Sequence, residues 1–541
     1  MSLNRAGRAQ GRRLLPARTA LAVLLGASAL SGTALADGKP QSGGTLVIAL
    51  ARQDECLDPQ QSNYGYGSNE GRQLVDSLTE QNYANPIEIA PWLAASWEVN
   101  KDATRYTFHL RPGVTFSDGT KLDATVVKNN FEKLAKIPGA AGGAYLKGIT
   151  DIKVTDPLTV EIGFDQPNVP FLQATSTSEL GIVAQATLDK TANERCSQGV
   201  IGSGPFVTEK VIYNQEAVLA KRADYDWPSK LRTHGGPAYL DKVVYKIVPE
   251  ASVRTGALKS QQVDLIQNVS DQDAAALKKA GYPITGVKSL GMAVNLVINT
   301  SRPIVGERAV RLALRQAINR EEVSQIAFSG NQPAATGLLT PQAPNHLDQS
   351  KDLAYDPDLA RKRLEEDGWK EGANGIREKN GQPLVITASY RAGPINQAFL
   401  EVVQQQVRDV GIDLKLRPLT AGAFDEALLA GNYDLHRWTW YLADADVLRA
   451  VYSTKTLNRF RLPAENKIDA LLDRQRATTD AAERRRITDE VQKIILDEAY
   501  AIPVFNAVAL WAGSPRVRNV AYGPGGSGGP NQIVYEAWLA D

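Results

Sequence analysis

Two tryptophans and a tyrosine crowd into one short stretch, Trp438, Trp440 and Tyr441, and two carboxylates, Asp444 and Asp446, follow directly. Aromatic residues make up only 7% of the chain, so the crowding is local. Trp and Tyr offer large rigid faces with a polar tip, which suits the walls of a cleft that takes up a partly polar ligand. The carboxylates could fix a cationic group on that ligand or satisfy backbone donors. A second, smaller cluster is Tyr64 and Tyr66 in Asn63-Tyr64-Gly65-Tyr66-Gly67. Core packing is the competing reading for each ring, but glycines around the two tyrosines describe a loop, which presents side chains poorly to a core.

Motifs for catalysis fail on context. Gly525-Gly526-Ser527-Gly528-Gly529 has the letters of a nucleophile elbow, and residues 523–528 have those of a dinucleotide fingerprint. Neither is flanked by the strand and helix that would expose a serine or seat a pyrophosphate on helix N–H groups. His109, His234, His346 and His436 are scattered, no nucleophile has an activating partner, and no carboxylate pair stands out as an acid–base couple. With 2 Cys and 4 His far apart, a metal site is not expected, and no cofactor is implied. The rival from another class is a secreted hydrolase.

The elements that must position these residues sit in 541 residues that are 43% hydrophobic and 22% charged, the balance of an ordinary globular protein with two or more domains. A net charge of +1 argues against nucleic acid. Arg5, Arg8, Arg12, Arg13 and Arg18 precede an apolar run at 20–30 and the small-residue pattern Ala34-Leu35-Ala36, which reads as a signal peptide cleaved before Asp37. The apolar run is too short to span a membrane. No Cys follows it to take a lipid, and Arg12-Arg13 leaves general and twin-arginine export both open. Removing residues 1–36 leaves 505 residues with 56 basic against 60 acidic side chains, net −4. Export to an oxidising compartment permits Cys56 and Cys196 to pair, closing a loop of about 140 residues worth on the order of 4–5 kcal/mol in the chain-entropy picture. Two buried free thiols are the alternative.

Hydrophobic periodicity predicts strands at 45–51, 105–111, 243–248, 293–299, 384–389, 412–416 and 501–505, and a hairpin over 152–164 turning at Asp156-Pro157. It predicts helices at 123–136, 307–322, 398–410, 466–477 and 480–497, and another that starts at Asp356-Pro357 and ends at Gly368. Strand, helix and strand over 384–416 form a βαβ unit. Hairpins mixed with βαβ units make this an α/β protein of at least two lobes.

Several stretches together resemble one family. Ala95-Ser96-Trp97-Glu98-Val99, the run Tyr106 to Val114, and Phe116-Ser117-Asp118-Gly119-Thr120 are similar to the signature of the peptide/nickel-type extracellular solute-binding proteins of ABC importers. So are Ile201-Gly202-Ser203-Gly204-Pro205-Phe206, Tyr239-Leu240-Asp241-Lys242-Val243, Asn299-Thr300 with the run Val310 to Leu314, and Tyr355-Asp356-Pro357 through Gly368-Trp369. The resemblance covers nearly all of 45–541. It implies a two-lobed periplasmic-binding-protein type II-like fold with an extra inserted domain, three domains in all. The expected division is a first lobe of 37–68, 204–292 and 512–541, an inserted domain of 69–203, and a second lobe of 293–511, with hinges near 292–299 and 501–511. The implied function is to capture an oligopeptide-like solute between the lobes, without catalysis, and deliver it to ABC permease subunits in the inner membrane; a monomer in the periplasm is expected. A metallophore or opine-like solute is the alternative.

In dipeptide-type members an Asp three residues before an Asp-Pro-Asp run receives the peptide amine; aligning Asp444-Ala445-Asp446 with that run puts Tyr441 there. A phenol supplies no counter-charge, so a ligand cation would fall to Asp444 or Asp446. The Arg that meets the peptide carboxylate falls within one residue of Arg391. Nickel-type members carry an Arg/Trp pair where this chain reads 139–145 without either, which disfavours free or simply chelated nickel. The expected ligand contacts are Tyr64, Tyr66, Arg391, Trp438, Trp440, Tyr441, Asp444 and Asp446.

Overall fold

The computed structural model describes residues 38–53, 56–61, 69–138, 140–523 and 530–541. The signal-peptide segment, Tyr64, Tyr66 and residues 524–529 lie outside them. Three larger sheets organise the described chain, and their strands confirm the α/β character. A seven-stranded sheet runs in the order Ile284–Lys288, Val508–Gly513, Leu265–Gln267, Thr45–Leu50, Lys242–Ile247, Glu216–Lys221, Phe206–Ile212. Thr45–Leu50 and Lys242–Ile247 pair in parallel, Thr45 opposite Lys242. A four-stranded antiparallel sheet, Ala94–Val99, Arg105–Leu110, Thr159–Phe164 and Ile149–Asp156, lies wholly between these segments in sequence. A five-stranded sheet has the order Asp413–Leu419, Val385–Arg391, Leu435–Trp438, Val294–Ile298, Ala501–Phe505.

Local chemistry explains the elements. Asp123 caps the helix Ala124–Leu134 by accepting from the Val126 N–H at 2.9 Å, and Val127, Phe131 and Leu134 turn inward. Phe131 meets Phe171 edge-on, and Phe171 in turn meets Tyr106 and Phe164 across the four-stranded sheet. Each such fully buried side chain contributes roughly 1.5–3 kcal/mol of burial. The βαβ unit appears as Val385–Arg391, Pro394–Arg408 and Asp413–Leu419, its strands parallel and adjacent. Its helix starts earlier than the apolar stripe alone predicts, because Pro394 tolerates the first helical position. The helix expected over 307–322 is two, Arg308–Ala317 and Arg320–Phe328: Ile318 is extended, and Asn319 caps the second by accepting from the Glu322 N–H.

Cys56 and Cys196 form a disulfide. Beside it, Asp58 and Arg195 make a buried ion pair at 2.7 Å, and Gln60 donates to Asn130 Oδ1 and Gly181 O, both at 2.7 Å. Residues 56–61 are thereby fixed to the helix Ala192–Gln198 and its surroundings.

The chain passes between the seven-stranded and five-stranded sheets twice, at 289–293 and at 506–507. The two crossings touch: the Ser289 N–H donates to Ala507 O at 3.1 Å. Among the described residues no helix is long and apolar enough to cross a membrane.

Candidate functional site

The aromatic segment begins on a strand and leaves it. Leu435–Trp438 lies in the middle of the five-stranded sheet, paired with Val294–Ile298 so that Trp438 stands opposite Asn295. Residues 439–446 then run out from the strand's carboxyl end, the side on which open α/β sheets hold their ligands. Hydrogen bonds tie this run to the first crossing: the Met292 N–H donates to Trp440 O at 2.9 Å, and the Thr439 hydroxyl donates to Met292 O at 3.0 Å. Gly291 makes the approach possible. Its φ is +103°, and a Cβ there would meet Leu442 O at 2.6 Å and Trp440 O at 2.7 Å.

Trp438, Trp440 and Tyr441 are all half-buried. The Trp438 ring has the Arg459 guanidinium 4.5 Å above it and His436 edge-on at 5.7 Å. His436 itself is fully buried, and burial pushes its imidazole down to about 3, so it stays neutral. Its Nδ1 lies 3.2 Å from Arg437 O. This histidine shapes the wall from within the sheet.

Asp444 and Asp446 each have a guanidinium of their own. Arg484 holds Asp444 through both Nη atoms, with both side chains only 13% exposed. Burial alone would raise the Asp444 carboxyl, but the Arg484 charge and its hydrogen bonds hold it below the usual carboxylate range. Arg449 grips Asp446 in a fork at 2.6 and 2.7 Å, and Gln475 Nε2 donates to the same carboxylate at 2.5 Å. Arg391 is at the end of its strand, exposed, paired through Nη2 to both oxygens of Asp425 at 2.8 and 2.9 Å, and 5.7 Å over the Phe424 ring.

Across from 439–446 stands the region carrying the four-stranded sheet. Gln81 Nε2 donates to Ala443 O at 3.1 Å, and Gln173 Nε2 donates to Gln81 Oε1 at 3.0 Å. The Val169 N–H donates to Arg476 O at 3.0 Å, and the Tyr83 hydroxyl donates to Lys288 O. Tyr145 is within electrostatic reach of both Glu179 and Asp444; burial first, and then these two carboxylates, push its phenol far up, so it stays protonated. Tyr106 likewise senses Arg484 and Asp444.

Trp438, Trp440, Tyr441, Asp444 and Asp446 are neighbours already in sequence; the structure adds the arginines that hold the two carboxylates and places Arg391 on a neighbouring strand end, while Tyr64 and Tyr66 lie outside the described residues. Sequence reasoning missed Arg484, Arg449, Gln81 and Tyr145. Arg484 looks like part of a solvated run, Arg484-Arg485-Arg486, yet it falls one helical turn before the buried Ile487 and Thr488, a spacing that turns it inward. Nothing local marks Gln81 or Tyr145, whose role depends on a long-range approach. The arrangement offers walls, hydrogen-bond donors and balanced charges. Among the described residues no group of His, Cys, Asp and Glu is placed to hold a metal ion.

Comparison with known proteins identifies the family and the fold. The family profile described as bacterial extracellular solute-binding proteins, family 5, middle region, matches residues 88–459. The nickel-binding periplasmic protein of Escherichia coli K12 is 27% identical over 466 residues, 81% of this chain and 84% of that protein. The heme-binding protein A of Haemophilus influenzae is 25% identical over 533 residues, 92% and 94% of the two chains. Among solved structures, NikA from Brucella suis in complex with Fe(III)-EDTA superposes with a TM-score of 0.80 at 24% identity, covering 92% of this chain and all of that one. DppA from Helicobacter pylori in complex with the peptide STSA gives 0.74 at 24% identity, covering 93% and 99%. The fold is the two-lobed type II periplasmic-binding architecture, and with more than half its length matched, the chain belongs to the bacterial extracellular solute-binding proteins of family 5.

Proposed function

We propose that this solute-binding protein takes up an oligopeptide-like solute of moderate size between two lobes and hands it to the permease of an ABC importer, after export through a cleaved signal peptide to the periplasm. One lobe is built on the seven-stranded sheet and carries the domain of 69–203; the other is built on the five-stranded sheet. Because Val508–Gly513 pairs within the seven-stranded sheet, we draw the second boundary at 507 rather than 511. The observation that carries the reading is the placement of 439–446: hydrogen-bonded to Met292 at a crossing on one side and to Gln81 on the other, it lies where a solute would touch both lobes at once. Such a solute favours the closed arrangement by contacts that exist only there. The relatives are solute-binding proteins, and we assign this chain no turnover.

A second reading has its own observation. Asp444 and Asp446 are both compensated by arginines, so neither presents a bare charge to a free amine. That favours a solute without a free terminal ammonium, such as an opine or metal chelate, and the relatives' ligands include nickel, by name, and Fe(III)-EDTA in a solved complex.

The test is thermal unfolding of the mature protein against panels of peptides, opines and metal chelates, with native mass spectrometry of protein taken from its host. A ligand at about a hundredfold its Kd adds roughly 2.7 kcal/mol to the native state, so a true ligand raises Tm by about 2–3 °C in a chain of this size. No shift from any panel would overturn the reading. Hydrolysis of peptides or esters that is lost on replacing one polar residue of the segment, with binding kept, would favour the hydrolase instead.

A further inference from the structure

Residues 332–340, on the five-stranded side, run past both crossings. Along the second crossing they begin as an antiparallel ladder: the Ala335 N–H donates to Val504 O at 3.1 Å, and the Asn506 N–H donates to Pro333 O at 2.8 Å. Pro333 has no N–H to carry the ladder on. The side chain of Gln332 takes over. Its Oε1 accepts from the Val508 N–H at 2.7 Å, and its Nε2 donates to Val508 O at 2.9 Å, so one amide side chain makes both bonds of a rung. Val508 is the first residue of the strand Val508–Gly513 in the other sheet. Gln332 is anchored on its own side, where the buried Ser324 hydroxyl donates to Gln332 O at 2.7 Å.

The same segment holds the first crossing. The buried Thr340 donates from its N–H to Gly291 O at 2.8 Å and from its hydroxyl to Ser289 O at 2.9 Å. Ser289 is bonded to Ala507, and Met292 is bonded to the Trp440 segment. A continuous set of hydrogen bonds therefore runs from Gln332 through both crossings to the aromatic wall.

We propose that Gln332 is a positioning residue for solute capture, a detachable clamp across the hinge that sets the balance between open and closed lobes. The inference rests on the two-lobe reading above. A backbone rung could not let go without breaking the strand, whereas an amide on three rotatable bonds releases Val508 and leaves the peptide ladder intact. The bonds to Val508 occur in the same arrangement as the contacts of Gln81 to Ala443 and Val169 to Arg476, which join the two sides at 439–446, and the clamp is assigned to that joined arrangement. Losing it shifts the protein toward open forms by population, with no solute required.

The experiment uses the full mature chain without added solute. Spin labels go on two exposed sites, Tyr213→Cys beside the seven-stranded sheet and Leu429→Cys beside the five-stranded one. Distance distributions are read by pulsed electron resonance, and exchange of the amides of 506–510 by hydrogen–deuterium mass spectrometry. In Gln332→Ala the ratio of short to long distances falls about tenfold, and exchange at 506–510 accelerates. Gln332→Glu, which still accepts from the Val508 N–H but donates nothing to Val508 O, lies between. Faster exchange with an unchanged distance distribution would overturn the proposal, since the amide would then only complete a strand; so would no change in either. A chain that bound none of the solute panels would leave this result standing, so the two failures are told apart.

Discussion

Two ion pairs flank the aromatic segment, and they differ in what they are able to do. Arg391 with Asp425 is about half exposed on both partners; Arg484 with Asp444 is nearly closed off. In water-like surroundings the first pair is worth little and exchanges partners cheaply, which is what the proposed contact of Arg391 with a ligand carboxylate requires. The second has lost its hydration, and separating it would strand a buried charge. The exposed pair is suited to recognition and the buried one to holding 439–446 in place. A charge expected from sequence to meet a ligand is therefore read differently once its partner is known.

The largest expected effect tests the buried pair. Arg484→Ala leaves Asp444 without its counter-charge and costs about 3–5 kcal/mol in denaturant unfolding. A loss under about 1 kcal/mol would erase the difference between the pairs. Next comes pH. The folded Asp444 carboxyl lies below its usual value near 3.8, so the stability it contributes is present above that value and is lost as pH falls through the lowered one. Asp444→Asn should flatten this part of the acid limb, followed by urea unfolding between about pH 2 and 5. An unchanged limb would mean that the pair adds nothing to acid stability. The smallest stability effect belongs to Arg391→Ala, within about 1 kcal/mol of wild type. In calorimetry the same variant should bind an anionic solute about tenfold more weakly, and equal affinity would remove Arg391 from the site.

Strands and helices with one clean face were legible. Residues 45–51, 105–111 and 501–505 appear as Thr45–Leu50, Arg105–Leu110 and Ala501–Phe505, because alternation or a short apolar run maps directly onto a sheet. The hairpin at Asp156-Pro157 and the pairing of Cys56 with Cys196 also stand. What sequence did not reveal was partnership across long separations. Asp444 and Arg484 are 40 residues apart, and Gln81 and Ala443 are 362 apart. No local pattern encodes such pairs. The two-helix break at Ile318 and Asn319 was missed for a different reason: the apolar stripe continues through it, while the break rests on one extended residue, Ile318, and one capping amide, Asn319, that starts the next helix. Gln332 escaped notice likewise, since a Gln before a Pro in a loop carries no signal until its neighbour across the hinge is seen.

The Cys56–Cys196 bond has a topological consequence. It turns the stretch 56–196, which holds the whole four-stranded sheet, into a covalent ring whose ends are 140 positions apart and whose only covalent link to the rest of the chain is at one closed neck. A protease that cuts once inside that ring opens it without releasing a fragment. The cut chain would still migrate as one species until the disulfide was reduced to two thiols, and until then both pieces would stay covalently joined.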